Sequence, residues 1–76
     1  MNGGNIRDLR KSKGMSLNEL ADVSGVSKSY ISYIERGLQR NPSIIVLKKI
    51  SDALDVEFMT LIEKMNQTEE NKHSGS

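Results

Sequence analysis

A chain of 76 residues has room for one domain with a thin core. With no cysteine it excludes a disulfide framework and thiolate metal chemistry, and its only histidine, His73, lies in a polar C-terminal stretch, so no metal site is expected. The net charge of +1 says little by itself, but residues 1–40 hold seven basic against four acidic side chains, enough for a phosphate-binding face where they converge.

The apolar spacing is helical from end to end, and no segment alternates as a half-buried strand would. The first helix is predicted over residues 5–13, with Ile6 and Leu9 on its inner stripe, Lys11 and Lys13 near its C-terminal dipole end, and Gly14 as a left-handed cap. The second begins after Ser16, whose spacing to Glu19 is that of a capping box. It turns Leu17, Leu20 and Ala21 inward and stops near Val23. The third follows Ser27 as N-cap, carries Tyr30, Ile31 and Ile34, and runs to about Arg36, where Gly37 provides the stop. A loop over 38–42 holds the one proline, Pro42. Ser43 then caps a fourth helix over 44–54, with Ile44, Leu47, Ile50, Ser51 and Leu54 on one face. A connector over 55–57 leads to a fifth helix over 58–64, with Leu61 and Ile62 facing in.

From Asn66 onward there is no apolar residue to offset the entropy of ordering, so residues 66–76 are expected to form a disordered polar tail beyond a domain of residues 1–65. The expected fold is all-α, a compact bundle of five short helices. No apolar run approaches the ~20 residues of a membrane span, and the N-terminus lacks the apolar block of a signal peptide, which together predict a cytoplasmic protein and no membrane partner.

The informative stretch is LNELADVSGVSKSYISYIER, residues 17–36. Two short helices that cross closely around a tight turn have strict steric needs. Ala21 supplies a small residue at the crossing, Gly25 a position free to take positive φ, and Val26 an apolar anchor for the turn. Ile31 and Ile34 hold the inner face of the third helix, and Leu20 seals the pair. With those faces inward, Lys28, Ser29, Ser32 and Tyr33 point away from the core. Lys28 can donate to a guanine edge, the two serines can reach a base edge or a phosphate, and Tyr33 offers a ring for a thymine methyl and a hydroxyl for phosphate.

This stretch resembles the helix-turn-helix of the lambda-repressor and Cro-like (XRE-class) family, whose five-helix pattern covers about residues 6–63. VSKSYISYIERGLQRNPSI, residues 26–44, is similar to the Sin-type repressors. The resemblance implies that the helix at about 28–36 enters the major groove by its N-terminal end, so that Ser27, Lys28, Ser29, Ser32 and Tyr33 contact DNA. It places the starts of the second and fourth helices on the DNA backbone, which selects Arg40 and Asn41, then Asn18, with Arg36 and Gln39 also within reach of phosphate. For Tyr30 it leaves two roles open, a backbone contact or a ring packed on the second helix. It matches Arg10 and Glu35 to a partly buried ion pair between the first and third helices.

The implied function is sequence-specific binding of double-stranded DNA by a transcriptional regulator, a repressor, with no cofactor. It would act as a homodimer on a palindromic operator. Ile45, Val46, Phe58 and Met59 form an apolar surplus suited to a dimer contact, although for a lone Phe the more usual fate, and the one favoured for Phe58, is to cap the core. The rival is a protein-interaction or antitoxin-type module on the same fold. An enzyme is not expected: there is no cysteine, the lone histidine is in the tail, the serines are spent as caps, and no glycine-rich phosphate loop occurs.

Overall fold

A computed structural model of the chain describes residues 4–39 and 41–74, with side chains as far as Asn66. The described residues form five helices and no strand: α1 (Gly4–Ser12), α2 (Leu17–Ser24), α3 (Lys28–Glu35), α4 (Ile44–Ala53) and α5 (Phe58–Ser74).

Serines start three of them. Ser16 Oγ accepts from the Glu19 amide at 3.1 Å while the Ser16 amide donates to Glu19 Oε1 at 2.9 Å, completing the capping box. Ser27 Oγ accepts from the Tyr30 amide and Ser43 Oγ from the Val46 amide, both at 3.1 Å. Three helices also end alike. The amides of Met15, Leu38 and Val56 reach back to the carbonyls of Arg10, Tyr33 and Ser51 at 3.0, 2.8 and 3.0 Å, in each case across a left-handed residue. In the last of these closures that residue is Asp55, at φ 57°, rather than a glycine.

α3 is held between α1 and α2, while α4 packs on α2 and α5, and α5 returns against α1. One apolar cluster fills the centre, formed by Ile6, Leu20, Val26, Ile31, Ile34, Leu47, Ile50, Leu54, Leu61 and Met65. Each fully buried Leu or Ile contributes roughly 1.5–3 kcal/mol relative to exposure, so this cluster is the main source of stability. Ser51 is buried among these residues without penalty because its hydroxyl donates to the Lys48 carbonyl at 2.8 Å. The Asn5 side-chain amide donates to the Lys64 carbonyl and ties α1 to α5.

Two expectations are corrected. Ile44 belongs by spacing to the inner face of α4 but is 70% exposed, because it sits in the first turn, beyond the neighbours that cover Leu47, Ile50 and Leu54. The fifth helix does not stop near Lys64. Its backbone continues through Ser74. Propagating a helix that is already nucleated adds one hydrogen bond per residue fixed, and Glu69, Glu70 and Lys72 are good helix formers. The longer helix also brings Met65, one turn after Leu61, into the core at 0% exposure.

Candidate nucleic-acid interface

The site is built from α2, the turn after it, and α3. Gly25 turns the chain with φ 75°, and its amide closes α2 on the Ala21 carbonyl at 2.9 Å. A Cβ at this position would meet nothing within 4 Å, so what the turn requires is the left-handed backbone and not empty space. The Val26 amide donates to Ser24 Oγ at 3.1 Å, and the Val26 side chain, 7% exposed, drops into the core. The chain then enters α3 through the Ser27 cap.

Along α3 the two sides are sharply different. Ile31 and Ile34 are buried, whereas Lys28, Ser29, Tyr33 and Arg36 are exposed and Ser32 is half-buried. Tyr30 is half-buried and packs against the apolar cluster, in keeping with the packed-ring role. Ser27 is exposed, and although its oxygen accepts from the Tyr30 amide, its hydroxyl proton and a second lone pair remain for a ligand.

The outward side chains do not stand on a flat face. Leu17, Lys28, Ser29, Ser32, Tyr33 and Arg36 line one open hollow between the start of α2 and α3. Asn18, Asp22, Ser27 and Lys28 stand around a second, which adjoins the first through Lys28. The structure thus brings Asn18 together with the α3 residues. Asn41 is exposed in the loop before α4, where its carbonyl accepts from the Gln39 side chain at 3.3 Å, and it borders neither hollow. Arg40 lies outside the described residues. Leu17 and Asp22 were not among the sequence-derived site residues. Leu17 reads as core by its spacing, and the available signal for Asp22 was its position one turn after Asn18 on the same face of α2.

The far end of α3 is clamped. Arg10 Nε donates to Glu35 Oε2 at 2.9 Å, Nη2 donates to Oε1 at 3.0 Å, and Nη1 donates to the Met15 carbonyl at 3.0 Å. The two side chains are 10% and 6% exposed. The hydrogen bond to Glu35 raises the Arg10 pKa still further above its ordinary value, against the opposing effect of burial. One forked cation therefore joins α1, the turn before α2 and the end of α3. Among the described residues the other ion pair is Lys48–Asp52 at 3.6 Å on the outside of α4, so the cations of Lys28 and Arg36 have no carboxylate partner. A rigid helix that offers free cations, hydroxyls and a phenol on one exposed edge matches the inventory needed to bind phosphates and read base edges.

On the opposite half, Ile45 and Met59 are 70% and 64% exposed, while Val46 and Phe58 pack against the apolar cluster. Phe58 is half-buried and thus caps the core from its edge. Among the described residues no group of three His, Cys, Asp or Glu side chains could hold a metal ion, and no helix is long and apolar enough to cross a membrane.

The chain belongs to the helix-turn-helix family, whose model matches residues 6–61. It is 54% identical over 69 residues to the HTH-type transcriptional regulator SinR of Bacillus subtilis (strain 168), a match that takes in 91% of this chain and 62% of that protein. The chain thus spans about three-fifths of the length of that relative. Two solved structures share its fold. The crystal structure of the master regulator for biofilm formation SinR in complex with DNA superposes with a TM-score of 0.77 at 56% identity, covering 82% of this chain and 98% of that one. The SinR protein/SinI protein complex gives a TM-score of 0.81 at 53% identity, covering 90% and 66%.

Proposed function

We propose that this chain binds double-stranded DNA sequence-specifically, with residues 28–36 in the major groove, and acts as a transcriptional repressor in the cytoplasm. The observation that carries this reading is the division of α3. Its inner side is locked by Ile31, Ile34 and the Arg10–Glu35 clamp, and its outer side presents Lys28, Ser29, Tyr33 and Arg36 to solvent, with no ion pair to either cation among the described residues. The likeness to SinR, including a SinR structure determined with DNA, supports it. Ser27, Lys28, Ser29, Ser32 and Tyr33 would read or border the bases. Asn18 at the start of α2, Arg40 and Asn41 ahead of α4, and Arg36 would meet phosphates and set register.

Two exposed apolar residues of α4 and α5 support a proposal for assembly. Ile45 and Met59 are large, exposed and borne on the adjoining helices α4 and α5, which favours a homodimer contact. A two-fold dimer would read the half-sites of a palindromic operator ~34 Å apart.

Selection of bound sequences from a random duplex pool tests the whole reading, since it reports sequence preference, any palindrome and its spacing together. Affinity for random duplex should fall steeply with salt. Tyr33→Ala should remove the preference for the selected site, whereas Asn41→Ala should weaken selected and random duplexes alike. A pool that shows no enrichment, or no binding at low salt, sinks the proposal. For assembly, sedimentation should show two chains per selected duplex and fewer for Ile45→Ser. One wild-type chain per duplex ends the dimer reading.

A further inference from the structure

The hollow beside α3 is lined unevenly. Lys28, Ser29, Ser32 and Arg36 supply donors, while Leu17 and the ring of Tyr33 supply apolar surface. Leu17 is placed there by local structure. It is the first residue of α2, immediately after the Ser16 cap, so one flank packs on the apolar cluster while the side chain still borders the hollow. A half-buried leucine is a poor neighbour for phosphate, because it would strip water from a charged oxygen and offer no hydrogen bond in return. Among the edges that duplex DNA offers in the major groove, the 5-methyl of thymine is the apolar one, and the O4 acceptor beside it suits a donor.

We propose that Leu17 and Tyr33 form the two apolar walls of a thymine-methyl site, with the donors of Lys28, Ser29 and Ser32 facing the O4 edge of the same base. The inference rests on the DNA-binding reading and adds to it a base preference and a specificity residue contributed by α2, the helix that does not itself enter the groove. Arg36, on the same hollow, is left to the backbone of that nucleotide or its neighbour.

The test uses the duplex selected from the random pool, with each thymine replaced in turn by deoxyuridine. This removes the methyl and keeps O4. At one thymine per half-site the wild-type protein should bind about three- to fivefold more weakly, the factor that corresponds to one buried methyl. The penalty should shrink in Leu17→Ala, which leaves the Tyr33 ring as the single wall, and persist in full in Leu17→Met, which keeps both apolar walls. Because Leu17 also touches the core, both variants are compared on paired duplexes at one temperature, so that a lower folded fraction cancels in the thymine-to-uracil ratio. Uniform binding of every uracil duplex by the wild-type protein overturns the inference while leaving DNA binding intact. So does a penalty that Leu17→Ala retains in full. If the pool selects no sequence, the parent proposal fails together with this one.

Discussion

The molecule contains two helix pairs joined by tight turns, α2–α3 and α4–α5, and they solve the same folding problem with different materials. In the first pair the chain turns on Gly25, the outward side chains of α3 are polar or, at Tyr33, phenolic, and the end of α3 is fastened by a forked ion pair that is almost wholly buried. In the second pair the left-handed turn position is Asp55, and the outward residues include Ile45 and Met59. Its fastening is apolar, through Leu47, Ile50, Leu54, Leu61 and Met65, with Val46 and Phe58 packed against them. Directional interactions fix orientation as well as distance, whereas apolar packing fixes distance and tolerates sliding. On the proposed function, the half with the directional clamp is the half in which a helix would have to keep its outer edge in one orientation to serve as a reading surface. The other half needs only to cover the core, and its exposed apolar residues are free to meet a partner.

The largest expected effect breaks the clamp. Arg10→Ala leaves the Glu35 carboxylate, 6% exposed, without its partner. Losing one member of a buried pair costs ~3–5 kcal/mol. At about 4–8 °C per kcal/mol for a domain this small, the melting temperature should fall by more than ~12 °C. Lys11→Ala, one position along on the exposed side of α1, should stay within about 0.5 kcal/mol of wild type. Similar thermal melts for the two variants would show that α3 is held by packing alone, and the contrast between the halves would dissolve.

What was legible in the sequence divides along chemical lines. Caps and turns depend on residues a few positions apart, so Ser16 with Glu19, Ser27, Ser43 and Gly25 could each be assigned from spacing, and each is found in its role. The inner stripe of α3 was equally readable, because Ile31 and Ile34 leave only one way for the helix to face, and Lys28, Ser29 and Tyr33 accordingly lie outside. What spacing could not supply was which neighbour covers a given face. Ile44 has the register of a core residue but no element above it. Met65 lies past the expected end of its helix and is nevertheless fully buried. Tyr30 could be placed only once the cluster it packs on was known, and Leu17 borders the hollow as well as the core because two helices meet there. Each of these is a property of tertiary packing, and one-dimensional periodicity does not encode it.

The turn residues offer the next sharpest test, since two positions with nearly the same backbone should respond with opposite signs. At Gly25, φ 75°, alanine meets no obstructing atom, so Gly25→Ala should lose the ~1–2 kcal/mol of left-handed strain, less some gain from a stiffer unfolded chain. At Asp55, φ 57°, the strain is already present, and an acidic side chain sits at the negative end of the α4 dipole. Asp55→Gly should therefore stabilise, by roughly 0.5–1 kcal/mol after the added unfolded-state entropy is subtracted. Denaturation midpoints measure both. A loss at Asp55 would mean that its side chain makes a contribution that the turn geometry does not reveal.

The smallest effect concerns the cap that starts α2 and so helps to position Leu17 and Asn18. The hydrogen bond from the Ser16 amide holds the Glu19 carboxyl below the usual carboxylate range. Because its pKa is lower folded than unfolded, the cap's contribution is complete above the ordinary value of about 4.3 and is lost as pH falls through the depressed one. Glu19→Gln keeps an acceptor for the same amide but no charge for the helix dipole. The melting temperatures of wild type and variant should therefore differ slightly near neutral pH, with wild type higher, and converge below about pH 4. The group is solvent-exposed and screened, so the gap should be small and should shrink further with added salt. A gap that stays constant with pH would assign the effect to side-chain shape, and one that widens in acid would reverse the sign of the linkage and remove the charge from the account of this cap.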